Sequence, residues 1–162
     1  MADMFAFLEL KPIKGEATDK DHKDWIELQS WSWGASNNSS FGSGTGGGVG
    51  KGQIQDMQCS KFMDKASTDM MKYCVQGTHI DKGTIHLCKQ HKDKKVKYLT
   101  IKLEKVIITS YHVGASGDGQ LPSESFSLHF VKVDENYKVQ KNDGTEENGG
   151  DFKWDLQKND ES

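Results

Sequence analysis

The sequence predicts a mainly β chain, an antiparallel β-barrel or sandwich of two sheets with one flanking α-helix. Three observations predict it. Short runs alternate between apolar and polar residues, most cleanly in "ESFSLHF", which sets Phe126, Leu128 and Phe130 on one side of a strand. Clusters of Gly, Asp, Asn and Ser separate these runs as turns. One segment alone, Ser67–Gln76, carries helical start and stop signals. Neighbouring strands joined by turns, with a single helix beside them, build a barrel or sandwich.

Met4–Leu10 opens as a strand with Phe5 and Phe7 on one face, and it breaks at Pro12 and Gly15. Asp24–Gly34, "DWIELQSWSWG", reads as a second strand whose alternation changes phase. Ile26 and Leu28 share one face and Trp31 and Trp33 the other, so either a bulge intervenes or both faces are covered. Successive side chains alternate, so Ser32 points away from its flanking tryptophans and faces out if they pack inward. Core packing suits these indoles better than sugar or base stacking. Gln53–Met63 continues extended. In the helix, the Ser67 hydroxyl is placed to cap a first-turn N–H and Asp69 to meet the positive helix end. Met70, Met71, Cys74 and Val75 form the apolar stripe, and Gly77 is the left-handed stop. Gly83–Lys89, Val96–Val113 and Glu124–Val133 follow as strands. "VGASGDGQLP" reads as a turn, "NDGTEENGG" as an exposed acidic loop, and "FKWDL" as a last strand.

Residues 1–162 read as a single domain. Hydrophobic residues are 34% of the chain and mean hydropathy is −0.74, so the core is modest and partners are expected to supply further burial. All 21 basic residues are lysine. Without arginine the chain lacks the planar fork used for bidentate phosphate and guanine contacts. With a net charge of −3 this argues against a nucleic-acid partner and against membrane insertion. Lysine-rich Lys89–Lys105 and acid-rich Asp134–Ser162 read as solvated faces, or as complementary surfaces on neighbouring copies. "MADMFAFLEL" lacks a basic start and a long apolar stretch, so no signal peptide is expected. Cys59, Cys74 and Cys88 read as reduced, partly buried thiols of a protein made in the cytoplasm.

Phe41–Gly52, "FGSGTGGGVGKG", raises the question of a phosphate-binding loop. That pattern needs Gly where Thr45 stands and a hydroxyl where Gly52 stands, and a helix must follow. None of these is met. Cys88 shares a strand face with His86, and His91 follows, but one Cys and two His lack the paired spacing of zinc sites. No motif for nucleophilic catalysis and none for a cofactor is present.

"GEATDKDHKDWIELQSWSWG" at 15–34 resembles the opening of the Hcp (haemolysin-coregulated protein) family of bacterial type VI secretion. The resemblance runs in order through the glycine loop, "GKGQIQDMQCSKFMDKAS", "GTHI", "YLTIKLEKVIITSYHVGASGDGQLPSESFSLHF" and "WDLQKN", covering nearly the whole chain. Thr68 departs from the proline many relatives carry at the first helical position. "KQHKDKKV" is more basic than the usual turn, which bears on a stacking surface.

The resemblance implies a non-enzymatic tube protein without cofactors. Its subunits form homohexameric rings that stack within a contractile sheath on a baseplate, under a spike protein. Small effector proteins travel in the ring lumen, and the protein is cytoplasmic until firing and then secreted. Ser32 maps to the lumen-lining position and is expected to contact cargo. Phe41, Gly42, Gly44, Gly46, Gly47, Gly48, Val49, Gly50 and Lys51 are expected to form an arm, ordered by the neighbouring subunit, because glycine permits close approach to another chain. A secreted lectin-like binding barrel using the tryptophans is the alternative, and an enzyme using Cys88 or a loop carboxylate a more distant one.

Overall fold

A computed structural model describes residues 4–39 and 49–161. The alternating runs fold as β1 (Met4–Leu10), β2 (Ile26–Leu28), β3 (Ser30–Ser32), β4 (Ala35–Ser39), β5 (Val49–Ile54) and β6 (Met57–Phe62). Helix α1 (Ser67–Gln76) follows, then β7 (Ile80–His91), β8 (Lys94–Gly114), β9 (Ser123–His129), β10 (Lys132–Gln140) and β11 (Glu146–Asp155). Every pairing is antiparallel. The main sheet runs β2-β1-β7-β8-β9-β6-β3, with β10 added to β8 and β11 to β10, while β4 and β5 form a separate ribbon. The chain is therefore mainly β, with one helix among the described residues, the class its alternation predicts.

β8 holds the two halves together. Its 21 residues are too long for one flat strand: residues up to Val106 pair with β7, Leu99–Glu104 also with β10, and Ile107–Gly114 pair with β9. The change of partner falls at Lys105, a non-glycine residue at φ 54, followed by an irregular register between Ile108 and Ser110. A left-handed residue and a bulge both turn a strand sharply.

The barrel is not closed by hydrogen bonding. Its end strands β2 and β3 are successive in sequence, separated only by Gln29, whose N–H donates to the Ser60 carbonyl at 2.7 Å. This explains the phase change in 24–34 and corrects the single strand expected there. The chain leaves β1 after Leu28 and joins β6 at Ser30, so the inward parity shifts by one residue. Inside lie Leu8, Leu10, Ile26, Met57, Ile85, Ile101, Val106, Phe126, Leu128 and Phe130, all at 1% exposure or less. Each such side chain contributes about 1.5–3 kcal/mol by leaving water.

The helix has the expected bounds but a different face and start. Met70 is buried and Tyr73 and Cys74 pack against the core, whereas Met71 is 38% and Val75 79% exposed. Ser67 is not the cap: Ala66 takes that position without a side-chain cap bond, and the Asp64 carboxylate accepts from the Ala66 N–H at 2.9 Å. Gly77 ends the helix at φ 65, as its sequence position predicts. The acidic loop is also corrected. Only a turn near Lys141–Thr145 leaves the sheet, and Glu146–Gly150 pair with β10. Gly149 is needed there because a Cβ would collide with the Tyr137 ring.

Candidate functional site

Antiparallel register sets the outward side chains of β3, β6, β9 and the end of β8 opposite one another in rungs. One rung runs Ser32–Gln58–Ser127–Ser110, the next Ser30–Ser60–Ser125–His112, and a third Phe62–Ser123–Gly114; of these Ser127 is buried, at 5% exposure, with Thr109 and Ser110 on its hydroxyl. No Lys, Asp or Glu stands on these rungs, although 28% of the chain is charged. The hydroxyls bond across the strands: Ser30 Oγ lies 2.5 Å from Ser60 Oγ, and Ser110 Oγ and Thr109 Oγ1 each 2.6 Å from Ser127 Oγ. At the rim, Thr109 also donates to Asp56 at 3.0 Å, and Asp56 pairs with His129 Nδ1 at 2.8 Å.

Ser32 is exposed on this face, while Trp31 and Trp33 pack against the core, in the arrangement expected from alternation. The Trp31 Nε1–H is buried without a partner among the described residues. Phe41, Gly42, Gly44, Gly46, Gly47 and Gly48 lie outside the described residues. Val49, Gly50 and Lys51, expected in the arm, belong to β5, whose backbone pairs Ser39↔Val49, Asn37↔Gly52, Ser36↔Gln53 and Ala35↔Ile54. The base of the arm is thus a two-stranded ribbon and not a loop, which corrects the boundary at residue 52.

Directly behind the serine rungs sits a buried polar network. Lys61 and Glu124 have side chains at 0% exposure. Lys61 Nζ donates to Glu124 Oε1 at 2.7 Å, Asp64 Oδ1 at 2.8 Å and Ser67 Oγ at 3.0 Å. Ser67 donates to Glu124 Oε1 at 2.6 Å, and the Tyr111 hydroxyl donates to Glu124 Oε2. Burial disfavours the Glu124 charge, but these donors outweigh it and hold the carboxyl below its ordinary range. Burial, with Glu124 beside it, pushes the Tyr111 hydroxyl up. The network ties α1 to β6, β8 and β9. Sequence reading missed it, although parity carried the signal: Lys61 shares a face with Met57 and Cys59, and Glu124 with Phe126 and Leu128.

On the outer side of β1 and β7, His22 Nδ1 donates to Asp19 at 2.6 Å and His22 Nε2 lies 2.9 Å from His86 Nδ1. Phe7 stacks on His22, and Lys95 reaches Asp19 at 2.8 Å. Burial opposes the Asp19 charge, yet Lys95 and His22 hold its pKa down to about 2. Burial, then Lys97, His22 and Lys102, lower His86 to about 4. His86 borders an open cavity of about 450 Å³ on a face where charges alternate, with Lys102, Asp134 and Lys153 opposite one another. His86 and Cys88 do share a strand as expected, but no metal-binding cluster with His91 occurs among the described residues. Burial raises the Cys88 thiol and pushes Cys59 up to about 12, which suits neither to nucleophilic work.

A family model described as "Type VI secretion system effector, Hcp" matches residues 7–137. Protein hcp1 of Pseudomonas aeruginosa is 34% identical over 154 residues, spanning 94% of this chain and 95% of that protein. A solved structure described as a type six secretion system protein superposes with a TM-score of 0.91 at 30% identity, covering 99% of this chain and all 100% of that one. Hcp1 from Salmonella typhimurium gives 0.81 at 28% identity, covering 100% of both chains. Order of motifs, sheet topology and these likenesses agree: the chain belongs to the Hcp family of type VI secretion system proteins.

Proposed function

We propose that this chain is the tube subunit of its secretion machine: a single barrel domain that forms hexameric rings, which stack and carry small effector proteins in their lumen. The family is one of structural secretion components and not a known enzyme family. The observation that carries the reading is the exposed Ser32, set on a charge-free face between two inward-packed tryptophans. Short, uncharged side chains of this kind suit a wall that lines a protein-filled channel. Spike, sheath and baseplate are the remaining partners on this reading, and export through the machine its route out of the cytoplasm. No helix among the described residues is long and apolar enough to cross a membrane.

The arm supports the ring half of the reading. Among the described residues β4 and β5 pair only with each other, and Ala35–Asn38, Gly52 and Gln53 are exposed. A two-stranded ribbon is marginally stable by itself, so contact with a neighbouring copy is what would hold it. Light scattering and negative-stain microscopy test the proposal: rings of six subunits are expected, and a monomer with glycan-quenched tryptophan fluorescence would favour a lectin instead. Ser32→Gln is expected to leave the ring intact and to impair retention of a cognate effector.

A further inference from the structure

We infer that the serine rungs of β3, β6, β9 and β8 act together as the cargo-contacting surface, and that they select a protein surface which is polar but uncharged. The inference rests on the ring-and-lumen reading and adds the chemistry of the partner. A charged group docked on these rungs would lose its water and meet no opposite charge. Lys61 and Glu124 are turned inward and satisfied by each other, and Asp56 is taken by Thr109 and His129 at the rim. His112 is the titratable side chain on the rungs themselves.

Amides and hydroxyls face no such penalty. A serine hydroxyl both donates and accepts and rotates to suit its partner, so it meets either kind of neutral group. The Ser30–Ser60 pair, and the bond of Ser110 to the buried Ser127 beside it, keep the surface hydroxyls of Ser30, Ser60 and Ser110 bonded when no cargo is present. Nothing is left orphaned on release, and the contact is reversible for that reason.

Size decides how many copies must act together. Four strands about 4.8 Å apart, β3 with two outward positions and the other three with three each over roughly 14 Å, make a patch of at most about 200 Å². A stable protein contact needs about 800 Å² on each side. One subunit therefore holds nothing firmly, and several converging faces are required.

The test uses assembled rings and three helical bundles of one backbone, with an exposed face of Ser/Asn/Gln, of Glu, or of Lys. Co-sedimentation is measured at about 0.15 M and about 1 M NaCl, where exposed charges are screened very differently. The neutral bundle is expected to co-sediment about tenfold more than either charged one and equally at both salts, a difference of about 1.4 kcal/mol. Ser60→Lys/Ser125→Lys rings are expected to prefer the Glu bundle, and Ser60→Asp/Ser125→Asp rings the Lys bundle, each with salt sensitivity. Preference of unaltered rings for a charged bundle, or salt-sensitive retention by them, would overturn the inference while leaving the tube reading standing. Light scattering that shows no ring at all would overturn both.

Discussion

Lys61 shows how much one side chain can hold when it is withdrawn from water. Its ammonium group reaches two carboxylates and a serine, so removing it leaves Glu124 buried and lacking its main partner. Lys61→Met is expected to destabilise the protein by about 3–5 kcal/mol, read from urea denaturation. Adding Glu124→Gln should restore more than half of that loss, because no lone charge then remains. His86 gives a second prediction. Its pKa is about 4 folded against an ordinary 6.5, so between those values the unfolded chain binds more protons. Stability should therefore fall as pH drops from about 6.5 to about 4, and His86→Gln should flatten that part of the profile. Asp19 acts in the same direction in a lower window, losing its contribution as pH falls from 3.8 toward 2. Neither centre was legible as such in the sequence. Charged residues read by default as surface, and only the parity of Lys61 and Glu124 within their strands hints otherwise.

At the scale of elements, what was legible depended on whether the cause was local. Gly77 closes α1 where expected because its left-handed conformation is a property of that residue. The buried face of α1 was not, since Met71, Val75, Tyr73 and Cys74 compete for the core and the sheet's position chooses between them. Likewise, the phase change around Gln29 was visible as a pattern, but the transfer from β1 to β6 that causes it is a tertiary event. The second half of β11 was legible as "FKWDL", but its first half, from Glu146, was concealed by glycine and acid, which disfavour strands in isolation yet pair with β10 around the Tyr137 ring. The arm is tested at this scale too. Deleting Gly44–Gly48 from between the paired strands of the ribbon should shift the mass in light scattering from hexamer toward monomer. An unchanged hexamer would remove the arm from the interface.

The whole molecule has two unlike exteriors built from one strand. The first half of β8 contributes to a face of alternating lysines and carboxylates, and its second half to the serine rungs. The class and the outward Ser32 were readable because period-two alternation is independent of partners; the contrast between the two faces was not, since it exists only once register lines residues up across strands. Salt should accordingly affect contacts made by the first face and leave those of the second unchanged. The slit at Gln29 has a further consequence. Because the chain passes there between the two ends of its own sheet, a cut at that residue severs no ladder. A piece ending at Leu28 would still carry β1 and β2, with β1 bound along seven positions of β7. The short piece and the remainder of the chain, made separately, should find each other and restore the near-ultraviolet circular dichroism of the intact chain. That would make the natural seam of this barrel a ready place to divide it into complementing fragments.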